Sequence, residues 1–364
     1  MLNIVLSGGP CSGKTTSISK IEEELSSKLG IHTLICPETA TELIANGIYP
    51  GKNISVEDFQ EIILKKQLEK EKLYKDIASK YFDPDKTIII YDRGILDQLA
   101  YIDRTNFDNL LNKYNLTISD IINRYDAVIH LTTAAKGTTH YTTENNSARK
   151  ETAEEAIALD DRTLAGNTIH PHLRVIDNST NFEKKIQRVL KVIFDCLGEP
   201  TPSEIERKFL IKYPNKNILE NLNFSSKSEI IQTYLKSEGN IERRIRQRGT
   251  KENGYNFYYT EKESISGIKR IEKEKKITVK EYVNLMIDAN PLLHQISKTR
   301  YCFVYENQYF ELDIYPYSID HAILEIELSD ENDNIKMPPF LEVIKEVTDD
   351  IYYKNSSIAK TLKI

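Results

Sequence analysis

A glycine-rich run near the start of the chain has residue types suited to binding phosphate. Positions 8–15 read Gly-Gly-Pro-Cys-Ser-Gly-Lys-Thr, which satisfies the pattern GxxxxGK[ST]. In this pattern the backbone curls so that its N–H groups point at phosphate oxygens, the lysine adds positive charge, and the hydroxyl suits Mg²⁺. The run follows an apolar stretch and opens a helical one, so a chance glycine turn is disfavoured. It predicts binding of ATP or GTP with Mg²⁺ by Gly8, Gly9, Ser12, Gly13, Lys14, Thr15 and Thr16.

Charged residues at the ends of the next apolar runs extend this predicted site. Asp92 ends the run 87–91, where a carboxylate would face the phosphates and bind Mg²⁺. Arg93 follows directly, and Asp92-Arg93-Gly94 resembles the acidic-arginine pair of P-loop nucleoside and nucleotide kinases. The resemblance implies that Arg93 and Glu38, which lies just past the second predicted strand, contact a phosphate acceptor. An acidic strand end for Asp92 and a helix N-cap for Glu38 are the alternatives, which the sequence leaves open.

Residues 136–150 are polar and poor in core-forming side chains, which predicts a lid over the nucleotide. Arg149 and Arg162 are the candidate lid arginines, with a solvated helix face as the alternative for each. Asn178 follows the last apolar run of this half, where a nucleotide base commonly rests. Because no NKxD segment follows the run 127–131, the choice between ATP and GTP stays open.

In the second half, charged residues alternate with apolar ones. Glu204, Glu206 and Lys208 share one face of a predicted strand, and Ile205 and Phe209 point the other way. A solvated sheet surface explains one such strand, but adjacent like charges repel unless an opposite charge intervenes. Carboxylate pairs suit divalent cations and arginine pairs suit phosphate oxygens. The same face-sharing occurs in Arg244, Arg246 and Arg248, in Lys298 and Arg300, and in Glu325 and Glu327.

The elements that must position these residues fall into two groups. Unbroken apolar strands separated by helical runs predict a parallel sheet covered on both faces. After Gly198, Pro200 and Pro202 the strands alternate, which predicts an antiparallel sheet. We therefore expect an α/β parallel-sheet P-loop NTPase domain at 1–197, a linker at 198–203 and an α+β antiparallel β-barrel domain at 204–364.

Bulk composition restricts the partners. The 364 residues carry a formal charge of −6, which makes nucleic acid an unexpected partner. No run approaches the length of a transmembrane helix, and no signal peptide is recognisable. The four cysteines are scattered without a CxxC pair, which fits a reducing compartment. A cytoplasmic location is expected.

The first half resembles a P-loop family that groups the ribosylnicotinamide kinase domain of a bacterial NAD regulator with the TRPL-translocation-defect protein. The resemblance covers 1–197 and rests on the P-loop and on the segments PETA at 37–40, YDRG at 91–94 and HPHLRVIDN at 170–178. It implies kinase-like or NTPase chemistry for this half.

Residues 203 to about 360 resemble the CYTH, or triphosphate tunnel, family, whose signature is the opening Glu204-x-Glu206-x-Lys208. The resemblance implies Mg²⁺ or Mn²⁺ ligands and phosphate ligands inside a barrel. The implied metal ligands are Glu204, Glu206, Asp313, Glu325 and Glu327. The implied phosphate ligands are Lys208, Arg244, Arg246, Arg248, Lys262, Lys298, Arg300 and Lys354.

Together the two halves resemble TRPL-translocation-defect-type proteins, which implies a two-domain enzyme. The first domain would hydrolyse ATP or GTP, or transfer its γ-phosphate to a small acceptor. The second would bind a triphosphate- or polyphosphate-bearing molecule with a metal and hydrolyse it. The alternative is a nucleotide-gated switch whose second domain is a phosphoinositide or polyphosphate receptor.

Overall fold

The structure, a computed structural model, describes residues 1–137, 152–197, 205–220, 222, 225–237, 239, 241–266, 269–328 and 333–363. The chain divides into two compact units, Met1–Glu199 and Pro200–Ile364. The predicted linker at 198–203 lies outside the described residues. None of the described helices is both long and apolar enough to cross a membrane.

The first unit contains a five-stranded parallel sheet in the order β2-β3-β1-β4-β5. β1 lies at its centre, and its last four residues are buried because helices cover both faces. The predicted parallel sheet is confirmed. The strands are β1 (Leu2–Ser7), β2 (His32–Cys36), β3 (Thr87–Asp92), β4 (Ala127–Leu131) and β5 (Leu173–Ile176).

Seven α-helices surround this sheet in the described part of the unit. α1 and α7 pack on one face, where Ile21, Leu25 and Val189 join the strand side chains in one core. Helical spacing in the sequence at 14–29, from 55 to about 81 and at 182–196 predicts α1, α3 and α7, whereas α2, α4, α5 and α6 were not predicted. The helices are α1 (Lys14–Leu29), α2 (Thr39–Ala45), α3 (Val56–Tyr81), α4 (Arg104–Lys113), α5 (Ile118–Ile122), α6 (Ala153–Asn167) and α7 (Phe182–Leu197).

The second unit contains a nine-stranded sheet in the order β10-β9-β8-β7-β11-β12-β13-β6-β14. Every neighbouring pair is antiparallel, as predicted. The strands are β6 (Ile205–Lys212), β7 (Ser225–Tyr234), β8 (Ile241–Thr250), β9 (Gly254–Ser266), β10 (Lys269–Ile277), β11 (Ile296–Tyr305), β12 (Gln308–Ile314), β13 (His321–Leu328) and β14 (Val343–Glu346).

Three short helices, α8 (Lys216–Glu220), α9 (Val279–Leu285) and α10 (Asn355–Thr361), accompany this sheet in its described part. Apolar side chains of one sheet face pack with Leu219 of α8 and with Tyr282 of α9. This is the packing expected for the apolar positions that alternate with charges. On the other face, α10 contributes Ile358 and Ala359 to a separate cluster with Leu210 and Tyr234.

The second sheet curls strongly. Glu206 of β6 and Lys262 of β9 lie six strand spacings apart in the sheet order, which would be about 29 Å in a flat sheet. The Lys262 ammonium nevertheless acts to lower the pKa of the Glu206 carboxyl, although screening weakens such interactions beyond about 10 Å. Leu210 and Tyr234, four spacings apart, share one cluster. The face that carries Glu206 is therefore concave.

We predict that the two units fold separately, because each has its own sheet and core. Fragments 1–198 and 203–364, expressed as separate chains, should both be soluble and should unfold cooperatively. Circular dichroism during heating checks this. If both fragments were unfolded while the whole chain folded, the predicted boundary would be wrong.

Candidate functional sites

The P-loop joins β1 to α1 and folds around the Lys14 side chain. The Lys14 ammonium donates to the carbonyl oxygens of Gly8 at 2.8 Å and Gly9 at 3.2 Å, and to the Ser12 hydroxyl at 3.3 Å. Gly8 and Gly13 have φ of +141° and +89°, angles that favour glycine. Burial, followed by the positive charge of Arg93, lowers the pKa of Lys14 to about 8. An anion would find this partly desolvated cation at the start of a helix.

Asp92 lies beside this loop at the end of β3. Its Oδ1 is buried and has no hydrogen-bond partner among the described residues, and burial raises the pKa of the carboxyl. An orphaned oxygen of this kind fits a cation. Thr15 and Thr16, in the first turn of α1, are exposed, so the Thr15 hydroxyl is accessible. The residues present therefore fit Mg²⁺, and their roles remain predictions.

Glu38 and Arg93 form an ion pair beside Lys14. Arg93 has φ of +75° and donates from Nε to Glu38 Oε1 at 2.6 Å, and its Nη1 lies 3.6 Å from Asp97 Oδ2. Burial opposes ionisation of Glu38, but Arg93 and then Lys14 lower its pKa to about 2. Glu38 is the N-cap residue of α2, but its side chain accepts no hydrogen bond from the helix backbone. Its Oε2 accepts from the Thr41 hydroxyl at 2.6 Å, so the carboxylate joins Arg93 to the first turn of α2.

Several residues that support this site were not predicted. Asp97 accepts hydrogen bonds from the Ser7 hydroxyl at 2.6 Å and from the Asn167 amide at 2.6 Å. Lys185 of α7 donates to the carbonyl oxygens of Ser12 at 3.3 Å and Thr132 at 2.8 Å. No local motif marks Lys185, because its partners are distant in sequence.

The remaining predicted residues of the first unit differ in what they contact. Asn178 donates to the carbonyl oxygens of Thr133 at 2.7 Å and Lys136 at 2.8 Å, so both amide protons bind the loop after β4, and its contact with a base stays a prediction. Arg162 donates from Nε to the Ala100 carbonyl at 2.9 Å. Arg149 lies outside the described residues, as does most of the predicted lid.

The second unit brings its predicted charges onto one concave surface, which we call the charged face. Strand register shows the sharing directly, because Glu325 is opposite Lys208, Glu327 opposite Glu206, and Arg300 opposite Asp313. The charged face comprises Glu206, Lys208, Arg244, Arg246, Arg248, Lys262, Lys298, Arg300, Glu311, Asp313, Glu325 and Glu327.

A compact ion network occupies the centre of the charged face. Arg300 donates to Asp313 Oδ1 at 2.7 Å and Oδ2 at 2.6 Å, to Glu325 at 2.7 Å, and to Glu311. Lys298 pairs with Asp313 as well. Although burial opposes ionisation, Arg300 and Lys298 keep the pKa of Asp313 below its usual range. Both Asp313 oxygens are therefore engaged by bases, which leaves them less suited to a metal.

Glu206 lies at the accessible edge of this network. Its side chain is 45% exposed, yet burial is the largest influence that raises its pKa. The Glu206 carboxylate is thus accessible to water and also surrounded by protein atoms, as expected in a concave surface. Lys208 binds Glu325 at 2.6 Å and lies 3.8 Å from Glu206. This arrangement suits a charged ligand that enters beside Glu206.

The bases of β8 form the opposite wall of the charged face. Arg246 donates to Glu274 at 2.5 Å and lies over the Tyr258 ring at 5.5 Å. Arg248 is 6% exposed, and its guanidinium donates to Cys302 Sγ at 3.4 Å. Arg244 shares their strand face, and Lys262 follows on β9. Lys354 directly precedes α10.

Metal ligation by the charged face remains a prediction. In the part of the chain that the structure describes, no three His, Cys, Asp or Glu residues are grouped as metal ligands. Glu204, the first predicted ligand, lies outside that part. Glu206 and Glu327 face each other on neighbouring strands, which suits a shared cation.

Comparison with known proteins gives family matches to both units. Residues 3–185 match the family model of the AAA domain, and residues 202–359 match that of the CYTH domain. A search of curated proteins finds no match.

Two solved structures are similar to parts of the chain. An inorganic triphosphatase is 28% identical over 44% of this chain and 97% of its own, with a TM-score of 0.31. A thymidylate kinase from Ehrlichia chaffeensis is 20% identical over 53% of this chain and 97% of its own, with a TM-score of 0.33. At TM-scores this low, neither similarity establishes an activity for this chain.

We predict that Glu38→Gln lowers the free energy of unfolding by about 3 kcal/mol at pH 7, because it removes one partner of a buried ion pair. The pKa of Glu38 is lower in the folded state, about 2. Its contribution is therefore complete above about pH 4.5 and disappears as the pH falls through 2. The gap between wild type and variant should shrink below pH 4.5. Urea unfolding of the full chain at pH 7, 4 and 3 measures it.

Glu42→Gln is the matched control, because Glu42 is 43% exposed and pairs with Lys66 on the surface. Its effect should stay within about 0.5 kcal/mol. Equal stabilities for wild type and Glu38→Gln at pH 7 would contradict the buried pair.

Proposed function

The chain belongs to the AAA domain family and carries a CYTH domain after it, and on this premise we propose an enzyme with two phosphate-handling sites. The first unit would bind ATP or GTP and pass the γ-phosphate to water or to a small acceptor. The second would bind a molecule that carries a triphosphate or polyphosphate and hydrolyse it with a divalent cation. The observation that carries the proposal is the P-loop closed on Lys14, beside a buried Asp92 oxygen that has no hydrogen-bond partner among the described residues.

The residues of the first site would have different roles, which follow from their positions. Lys14 would leave its carbonyl partners for phosphate oxygens, which would stabilise its ionised form in a desolvated place. Thr15 and Asp92 would hold Mg²⁺, which when bound neutralises charge on the terminal phosphates. Because water or an acceptor must approach the γ-phosphate, the neighbouring Glu38 and Arg93 pair is placed to orient it.

Glu38 is better suited to orienting an acceptor than to removing its proton. A general base works best with a pKa near the operating pH, and the pKa of Glu38 is about 2. The carboxylate would therefore accept a hydrogen bond from an acceptor hydroxyl. The pKa of Asp92 is raised by burial, and in the proposed site this carboxyl would lie nearer than Glu38 to the phosphates of the bound nucleotide.

In the second site, we separate charged groups that hold the strands together from charged groups that would bind a ligand, according to how each is paired. Arg300 and Asp313 bind each other inside the charged face, so they hold the strands in place. The Arg246 guanidinium lies over the Tyr258 ring and pairs with Glu274. It would bind phosphate oxygens from this side of the charged face. Glu206 and Glu327 are exposed and lie opposite each other on neighbouring strands, where they would share the cation.

We predict that Lys14→Ala abolishes nucleotide binding by the first unit while the fold persists, because the only change is loss of the cation that the loop encloses. Calorimetry with ATP and GTP in Mg²⁺ measures it. Lys20→Ala is the matched control, since Lys20 is on the same helix, is 38% exposed and pairs with Glu183. Equal affinities of wild type and Lys14→Ala for both nucleotides would rule the site out.

We predict that Arg246→Ala weakens tripolyphosphate binding in Mn²⁺ by at least about tenfold, or 1.4 kcal/mol. The full chain is used with Lys14→Ala as background, so that the P-loop does not contribute. Arg243→Ala is the control, because Arg243 occupies the other face of the same strand and pairs with Glu261. Equal binding by the two variants would contradict the phosphate wall.

Glu206→Gln and Glu327→Gln test the cation in the same background. Each should weaken metal-dependent binding by about tenfold or more. If the carboxylates lie on an ordinary solvated face, both changes would be neutral. Release of phosphate from ATP, GTP, tripolyphosphate and thiamine triphosphate then separates an enzyme from a protein that only binds.

A further inference from the structure

A buried carboxylate behind the P-loop has no part in the sites described above. Asp160 of α6 is 0% exposed, and its Oδ1 accepts hydrogen bonds from the backbone N–H groups of Gly9 at 2.8 Å and Thr133 at 3.2 Å. His130 Nε2 lies 3.1 Å from Oδ1, and Lys136 Nζ lies 2.9 Å from Oδ2. One side chain thus joins the P-loop to the segment that follows β4.

Asp160 explains why position 9 has no side chain. A Cβ on Gly9 would lie 2.7 Å from Asp160 Cβ and 2.8 Å from Oδ1, well inside contact distance. Gly9 has no positive φ, unlike Gly8 and Gly13. The second glycine of the loop is therefore required by the close approach of α6 rather than by its own backbone conformation.

Asp160 reaches the loop from α6 through the Gly9 N–H and not through Lys14. The acidic groups that act most strongly on Lys14 are Asp92, Glu38 and Asp97, and Asp160 is not among them. Asp160 stays ionised because His130 and then Lys136 keep its pKa below the usual range against the effect of burial. A buried ion of this kind holds its hydrogen-bond donors firmly.

Two further contacts hold the same stretch of loop against the segment after β4. The Thr133 hydroxyl donates to the Pro10 carbonyl at 2.5 Å, and the Ala134 N–H donates to the Cys11 carbonyl at 3.2 Å. With Asp160 these contacts fix the loop before any nucleotide arrives. A loop that is already ordered loses less conformational entropy on binding.

We propose that Asp160 is a positioning residue for nucleotide binding, which sets the shape of the P-loop through its hydrogen bond with the Gly9 N–H and without touching the nucleotide. The proposal rests on nucleotide binding by the first unit. It adds that a side chain on α6, some 150 positions along the chain, tunes the affinity of the loop.

The test compares three variants of the full chain by calorimetry with ATP and GTP in Mg²⁺. Asp160→Ala removes the acceptor and should raise the Kd by about tenfold or more. Asp160→Asn keeps an oxygen for the Gly9 N–H but loses the ion pair with Lys136, so its Kd should stay within about threefold of wild type. Asp161→Asn is the control, because Asp161 binds Lys136 at 2.5 Å but not the loop. Amide exchange in residues 9–13 should quicken only in Asp160→Ala.

Gly9→Ala is the second variant, because its Cβ would push the Asp160 carboxylate away from the loop. If Asp160→Ala fails to fold, Gly9→Ala should show the same rise in Kd. Wild-type affinity in folded Asp160→Ala or Gly9→Ala would overturn the proposal. An Asp160→Asn variant as weak as Asp160→Ala would overturn it too, because charge rather than the loop contact would then decide affinity. If the wild-type chain binds neither nucleotide, the proposed function of the first unit is wrong, and the role proposed for Asp160 is wrong as well.

Discussion

Burying ionised groups is the constraint on which both units depend, because a buried ion is stable only beside an opposite charge, a hydrogen-bonding partner or a ligand. In the first unit, Arg93 is 14% exposed and lies between Glu38 and Asp97. In the second, Arg300 is 7% exposed and its carboxylate partners come from two neighbouring strands. These pairings hold the strand ends and the curled sheet in the geometry that the sites need.

The groups left incompletely paired mark where ligands would bind. Asp92 keeps a buried oxygen without a partner in the described structure, and Lys14 is held by carbonyl and hydroxyl oxygens only. In the second unit the same contrast separates Asp313, saturated by bases, from Glu206, which water reaches. A phosphate ligand with a divalent cation would supply the missing charges in both places.

The sequence predicted the buried strands and three helices, and it missed the other helices for physical reasons. α1 and α3 have sustained apolar spacing, whereas α5 spans five residues, too few to show a period. α6 begins with a capping box at Thr152 and Glu155, a signal that was available. The bounds of β4 match the apolar run 127–131 of the sequence, because a buried parallel strand is a continuous apolar run.

The P-loop, the parallel and antiparallel halves and the sharing of faces by alternate charges can all be predicted from the sequence, because they follow from local spacing along the backbone. Which charges neutralise each other depends on the folded chain. Lys208 meets Glu325, and Gly9 meets Asp160, across more than a hundred positions. Such contacts depend on strand order, on curling of the sheet and on helix packing, and no local pattern records them.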